Sequence, residues 1–155
     1  MENANFKLLK KLNLAYNKIS DIKVLEKVKF EKLEELNLSW NEISDINILE
    51  KIKFGELREL YLSNNNIRDI KVLENIKFEK LEKLILCNNE ISDISILEKV
   101  KFKELKELNL WRNNISDIKV LENVKFEKLE KLNLSYNKIK DKSIISKLKI
   151  KNIEL

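Results

Sequence analysis

Leucines recur along this chain at a fixed spacing of twenty-four positions, as from Leu9 to Leu33. In each copy the first leucine is followed by two more, three and five positions later, and the residue between those two is usually polar. This period-two alternation is typical of a short strand that buries one face. A single strand cannot bury that face alone, so the pattern predicts copies stacked into a parallel sheet. The first leucines are Leu9, Leu33, Leu57, Leu81, Leu105 and Leu129.

We call residues at the same position of successive copies a column and count positions from the first leucine. Position nine is asparagine in every copy, just past the predicted strand. Its amide can donate to and accept from neighbouring backbone groups, so we expect the column to form a ladder that satisfies inward-facing turns. Its members are Asn17, Asn41, Asn65, Asn89, Asn113 and Asn137.

A short helix is predicted after each turn. Ile22, Leu25 and Val28 are spaced three apart, with Val24 four before Val28, which indicates one apolar face of about two helical turns. Asp21 precedes this face, where an N-cap accepts from the first free amides. Its counterparts in the later copies are Asp45, Asp69, Asp93, Asp117 and Asp141.

Every phenylalanine also stands at one position of the unit, where we expect a buried aromatic stack on the helical side. We interpret residues 1–155 as one domain, with a partial N-terminal cap over 1–8 and a C-terminal partial repeat or cap at about 150–155. Ile150 takes the phenylalanine position and Ile153 the first-leucine position. We therefore expect the chain to stop where a seventh strand would begin.

The unit LxxLxLxxNxIxDIxxLxxxxFxx resembles the leucine-rich repeat family, and its NxIxDIxxL portion resembles the subclass of the Sds22-like phosphatase regulators and the internalins. The resemblance implies an α/β right-handed solenoid with a concave parallel β-sheet and short helices on the convex side. It also implies a scaffold that serves many protein partners. The Sds22-like subclass adds phosphatase regulation as an alternative, although the unit here is two residues longer than in that subclass and only six copies are present.

Composition narrows the function classes. The net charge is +5, but lysine and glutamate alternate finely, which indicates a solvated mixed surface and not a nucleic-acid site. The N-terminus lacks the apolar run of a signal peptide, and no stretch approaches transmembrane length. A lone cysteine, Cys87, favours a reducing compartment, so we expect an intracellular, cytoplasmic protein that binds neither nucleic acid nor membrane.

Catalytic chemistry has few candidates. The chain has no histidine, no cysteine pair with zinc spacing and no glycine-rich loop for phosphate. Cys87 stands where other copies carry serine, which favours a small-residue position over a nucleophile. The aspartate column is better explained by helix caps than by a metal. We therefore predict no enzymatic activity, no cofactor and no metal.

Four columns on the predicted concave face depart from the regular unit. Trp40, Tyr61, Ile85, Trp111 and Arg112 break their columns within four consecutive copies, which span roughly 15 Å at the usual strand spacing. Tryptophan, tyrosine and arginine are enriched at binding hot spots, and Ile85 places a large apolar group on an otherwise polar face. With Arg112 able to stack on Trp111, we predict a partner-binding surface. It also includes the central acids Glu35, Glu59 and Glu107.

Other interpretations stay open. Tyr16 and Tyr136 show aromatic residues at position eight without an obvious purpose, so the departures at Trp40 and its neighbours are also compatible with drift. The near-identical copies and unfinished ends also fit an idealised or self-associating scaffold with no specific ligand, joined through uncapped solenoid ends.

Overall fold

The computed structural model describes residues 6–155, so most of the predicted cap at 1–8 lies outside the described residues. The fold is an open parallel sheet of seven strands that follow one another in chain order. The strands are β1 (Lys11–Asn13), β2 (Glu35–Asn37), β3 (Glu59–Tyr61), β4 (Lys83–Ile85), β5 (Glu107–Asn109), β6 (Lys131–Asn133) and β7 (Asn152–Glu154). The predicted solenoid class is confirmed.

The sheet register follows the repeat. Each residue of β1 to β5 pairs with its equivalent in the next copy, as Leu36 does with Leu60 and Leu60 with Leu84. These central leucines point inward and are at most 1% exposed. Because side chains alternate along a strand, positions three and five face the opposite, concave side.

One short 3₁₀ helix follows each of the first six strands, on the convex side. The helices are α1 (Lys23–Lys27), α2 (Asn47–Glu50), α3 (Lys71–Glu74), α4 (Ser95–Glu98), α5 (Lys119–Glu122) and α6 (Ser143–Lys147). The predicted length of two turns is therefore wrong. The three-residue spacing of Ile22 and Leu25 is the period of a 3₁₀ helix, in which the Leu25 amide donates to the Ile22 carbonyl at 3.0 Å.

The aspartate column orders the start of each helix. Asp21 Oδ1 accepts from the Lys23 amide at 2.8 Å, and the later aspartates accept from the equivalent amide at 2.8 to 3.0 Å. Aspartate lies one residue before the helix-flanking Ile22, so the bond is the two-residue turn that Asp side chains favour. The N-cap is Ile22 and not Asp21, so the predicted capping position was wrong, while the predicted role of Asp21 as acceptor of a free amide is confirmed.

A continuous apolar core fills the space between sheet and helices. The phenylalanine column forms part of it: ring centroids are 5.9 Å apart for Phe6 and Phe30, 5.6 Å for Phe30 and Phe54, and 6.1 Å for Phe54 and Phe78. Phe102 continues the column at 3% exposure, so the predicted buried column is confirmed from Phe30 to Phe102, whereas Phe6 is 38% exposed and Phe126 partly buried.

The asparagine ladder is present as predicted. Asn89 Nδ2 donates to the carbonyl of Leu62 in the preceding copy at 2.9 Å and to Leu86 in its own at 3.1 Å. Its Oδ1 accepts from the Ile67 amide at 3.0 Å. Each asparagine from the second copy onward therefore forms hydrogen bonds to the preceding copy. These bonds connect neighbouring turns outside the strands.

The last copy is shorter than expected. β7 forms, and it pairs Ile153 with Leu132, whereas a regular copy would bring a later residue opposite Leu132. Ile153 thus takes the second leucine position, so its assignment to the first position and the absence of a seventh strand were both wrong. The segment that connects α6 to β7 is three residues shorter than in a regular copy, so the residue that pairs with Leu132 comes three positions earlier in the sequence.

Two columns of charged residues, just before the start of each strand, alternate in sign from copy to copy. At position two, Lys10 pairs with Glu34 at 2.9 Å, Glu82 with Lys106 at 2.6 Å, and Glu130 with Lys151 at 2.7 Å. Arg58 lies between the two glutamates Glu34 and Glu82 and pairs with the second. At position 24 the same alternation gives the pairs Lys80 with Glu56 and Lys128 with Glu104. We call these columns the charge ladders.

Candidate functional site

The predicted site residues lie along one side of the sheet. Positions three and five belong to the strands, position seven continues their alternation, and position eight begins the turn that leaves the sheet. Backbone pairing extends into this turn, since the Trp40 amide donates to the Ser63 carbonyl at 2.8 Å and the Arg112 amide to that of Ser135 at 2.9 Å. Side chains at positions seven and eight are therefore held in rows across the copies.

Position eight has a left-handed backbone in all six copies, with φ between 52° and 58°. Asparagine adopts this conformation readily, and two copies carry it, Asn64 and Asn88. Other side chains lose about 1–2 kcal/mol there. The remaining copies nevertheless place large side chains at this position: Tyr16, Trp40, Arg112 and Tyr136.

Two aromatic clusters form at positions seven and eight. The rings of Tyr16 and Trp40 stack, with centroids 5.4 Å apart. We call this pair the first cluster. Three copies further on, the rings of Trp111 and Tyr136 meet edge to face at 5.5 Å, and the Arg112 guanidinium lies 5.9 Å from the Trp111 ring centre. These three residues are the second cluster, and the predicted contact of Arg112 with Trp111 is present.

Tyr16 and Tyr136 were missed by the sequence analysis, which treated them as aromatic residues without purpose. Each is 76% exposed and contacts the tryptophan of the adjacent copy. Their location in copies adjacent to those of the tryptophans was the available signal, because adjacent repeats place the side chains of positions seven and eight side by side. Trp40 is itself 50% exposed, while Trp111 is partly buried.

A polar segment separates the clusters. Cys87 Sγ donates to Ser63 Oγ at 2.9 Å, and Asn88 Nδ2 donates to Asn64 Oδ1 at 2.6 Å. Cys87 thus behaves as a serine-like member of its column. The predicted continuous patch from Trp40 to Arg112 is interrupted here by small and amide side chains.

Position five is partly structural. Asn109 Oδ1 accepts from the Trp111 amide at 2.9 Å, and Asn13, Asn37 and Asn133 make the same bond in their copies at 2.9 to 3.0 Å. In the fourth copy Ile85 replaces asparagine, and its side chain has no acceptor for the equivalent amide. Ile85 lies on the concave face but is only 8% exposed, with Tyr61 and Asn109 as its in-register neighbours. It therefore presents less apolar surface than its place in the sequence suggested.

The central acids are largely engaged within the sheet. Glu35 pairs with Lys11 at 2.6 Å and Glu107 with Lys83 at 3.5 Å. Glu59 accepts from the Tyr61 hydroxyl, and burial together with this bond raises the pKa of Tyr61 above its ordinary value of 10.0. Glu35 and Glu107 add to the rise in this pKa through their negative charge. All three predicted glutamates therefore raise the pKa of the same residue, Tyr61.

Neither a metal site nor a membrane-spanning helix is found in the described part of the chain. Residues 6–155 contain no group of three or more His, Cys, Asp or Glu side chains placed to hold a metal ion. No helix within that range is long and apolar enough to cross a membrane.

A family model for leucine-rich repeats, in two copies per match, fits residues 7–52, 55–99, 79–123 and 103–149. A comparison with curated proteins gives no significant match.

Similar solved structures cover most of this chain. An internalin from Listeria monocytogenes is 28% identical with a TM-score of 0.72, and the match covers 96% of this chain and 48% of the internalin. A leucine-rich repeat protein from Leptospira interrogans is 29% identical with a TM-score of 0.78, over 96% of this chain and 38% of that protein. The chain thus spans less than half of either. A plant peptide hormone receptor, RGFR1 in complex with RGF2, is 25% identical with a TM-score of 0.63, over 84% of this chain and 21% of the receptor.

Proposed function

The chain belongs to the leucine-rich repeat family, and from that premise we propose that it is a non-catalytic module that binds a protein partner on its concave side. The two aromatic clusters are the contact points of this proposal. The lack of histidine supports the non-catalytic part, and the free Cys87 is consistent with action inside the cell.

The observation that carries the proposal is the left-handed row. Tyr16 and Trp40 both occupy a conformation that costs about 1–2 kcal/mol each, whereas asparagine fills the same position cheaply in two other copies. Their stacking returns about 0.5–1.5 kcal/mol beyond the area that the rings bury, and Tyr16 stays 76% and Trp40 50% exposed. Residues kept at a cost to folding are candidates for function, because strained backbone positions cluster at binding sites.

The character of the exposed side chains adds support. Trp40 and Arg112 are of the types that dominate binding energy at protein interfaces. Among the similar structures, one is a plant receptor in complex with a peptide hormone, which shows that this architecture accommodates a peptide ligand in that protein.

Affinity capture with a matched pair of variants tests the proposal. Trp40→Asn and Trp111→Ser introduce the residues that other copies carry at those positions, so the fold should be retained. We expect the double variant to lose the proteins that wild type captures. Each single variant should weaken binding of the purified partner by about tenfold or more, since an anchor residue contributes about 2 kcal/mol or more. Calorimetry measures the affinity, and urea denaturation verifies folding.

The control is Lys53→Asn on the convex side, which should bind as wild type does. Equal capture by wild type and the double variant would disprove the proposed site. Recovery of a phosphatase catalytic subunit would support the regulatory alternative, and recovery of this chain itself would support the self-associating one.

A further inference from the structure

We propose that the partner presents an extended peptide segment that crosses the strands along positions seven and eight, with one large apolar side chain at the tryptophan of each aromatic cluster, four residues apart. An acidic side chain lies beside the second anchor. The inference rests on the proposed function and specifies its partner.

The spacing follows from the geometry of the sheet. Trp40 and Trp111 belong to the second and fifth copies, which are three strand steps apart. At about 4.8 Å for each step the two tryptophans are about 14 Å apart. An extended peptide rises about 3.3 Å per residue, so about four residues span that distance. Residues i and i+4 of an extended chain also point to the same side, as two anchors on one surface require.

The segment between the clusters suits a peptide backbone. The bond between Asn64 and Asn88 uses one donor and one acceptor, which leaves each side chain with further amide hydrogens or a carbonyl lone pair. Both residues are partly exposed. Amide side chains match the alternating donors and acceptors of an extended backbone, whereas no large apolar side chain stands at positions seven and eight here to select a residue in the middle.

The charges beside the two clusters differ. Lys18 and Glu42 stand two residues beyond Tyr16 and Trp40 and carry opposite charges, whereas the second cluster contains the exposed Arg112. Within residues 6–155 Arg112 forms no ion pair, and the described contact of its side chain is the Trp111 ring. By charge complementarity the partner carries an anion near its second anchor. This charge separates the segment from a simply apolar peptide.

A display selection tests the inference. Random twelve-residue peptides are selected on immobilised wild-type protein and, in parallel, on Arg112→Glu. We expect peptides enriched on wild type to share aromatic or large aliphatic residues at i and i+4, with Asp or Glu near the second. On Arg112→Glu the enriched charge near the second anchor should change to Lys or Arg. A structural role of Arg112 alone would not produce that inversion.

A synthetic peptide from the wild-type selection is then measured against single variants. We expect Trp40→Asn and Trp111→Ser each to weaken it at least tenfold, and Lys53→Asn on the convex side to leave its affinity unchanged. Peptides with one anchor, or with no preferred spacing, would overturn the inference while leaving the proposed function intact. The same holds if no peptide is enriched but protein capture still depends on the tryptophans. Peptides that bind both tryptophan variants as tightly as wild type would overturn both.

Discussion

At the scale of single residues, large side chains at position eight make exposed contacts at a cost in folding stability. Its backbone is left-handed in every copy, yet four copies place Tyr, Trp or Arg there. Such side chains lose energy in this conformation unless their contacts compensate, and the described contacts are only ring pairs and one cation–π interaction. Substitution by asparagine should therefore separate folding from binding.

Arg112→Asn should raise the free energy of unfolding by up to about 1.5 kcal/mol. Relief of the left-handed strain is worth about 1–2 kcal/mol, and loss of an exposed cation–π contact costs about 0.5–1 kcal/mol. Urea denaturation measures the difference. A destabilised Arg112→Asn would contradict the strain argument.

The control for this substitution is Lys138→Asn, at an exposed position of ordinary backbone. It introduces the residue that Asn66 and Asn114 supply in other copies. Surface substitutions of this kind change stability little, so we expect the free energy of unfolding to stay within roughly 0.5 kcal/mol of wild type.

At the scale of elements, each copy has a strand of three residues and a single helical turn, and neither is stable alone. Side-chain amides therefore connect the copies. The asparagine ladder was predictable, because one residue type recurs at one position where turns need partners. Asn109 and its column at position five were not recognised as structural, although an asparagine that bonds to the amide two residues on is a common turn device.

Asn89→Ala should destabilise the protein by about 3 kcal/mol. The change leaves the Ile67 amide without its acceptor in the interior, at about 1–3 kcal/mol. It also removes the bond to the Leu62 carbonyl, at about 0.5–1.5 kcal/mol, although that carbonyl keeps its bond from Asn65 Nδ2 at 3.1 Å. Asn17→Ala is the matched comparison, since Asn17 is exposed and its amide donates only within its own copy. We expect it to cost less than about 1 kcal/mol in the same urea experiment. Equal losses at both sites would show that bonds between copies contribute little.

The remaining errors of the sequence analysis share one physical cause. Periodicity tells which side of the sheet a residue faces, but not how far its neighbours cover it. Ile85 faces the concave side as predicted and is still buried. The left-handed row had a weak signal in Asn64 and Asn88, but no sequence rule shows that Tyr16 stacks on Trp40 until adjacent copies are placed in register.

At the scale of the whole molecule, the charge ladders run along the solenoid and make its stability depend on pH. Hydrogen bonds and charge from Lys106 and Arg58 lower the pKa of Glu82, and Lys10 and Lys151 lower the pKa of Glu34 and Glu130, respectively. The ordinary pKa for glutamate is 4.5 in each case. A carboxyl group with a lowered pKa in the folded state stabilises that state above its ordinary pKa, and the stabilisation is lost as pH falls through and below that value.

We therefore expect the unfolding free energy to fall between about pH 5 and about pH 3. Glu82→Gln should lower stability at pH 6 by about 1 kcal/mol or less, as is usual for exposed ion pairs, and should make the acid loss shallower, so that the two curves converge near pH 3. Urea titrations at several pH values measure both. Glu98→Gln is the control, because Glu98 forms no ion pair within residues 6–155. A constant difference between wild type and Glu82→Gln at all pH values would exclude the assigned role of Glu82.

The alternating signs also bear on how such similar copies find their correct neighbours during folding. If β4 bypassed β3 and paired with β2, Glu82 would face Glu34 and Lys80 would face Lys32, so both ladders would set like charges side by side. Skipping two copies restores opposite signs, but a longer stretch of chain must then be looped out. Leucine and asparagine columns cannot distinguish one copy from the next. The ladders can, because they give odd and even copies different identities and so disfavour the nearest misassembly open to a repetitive chain.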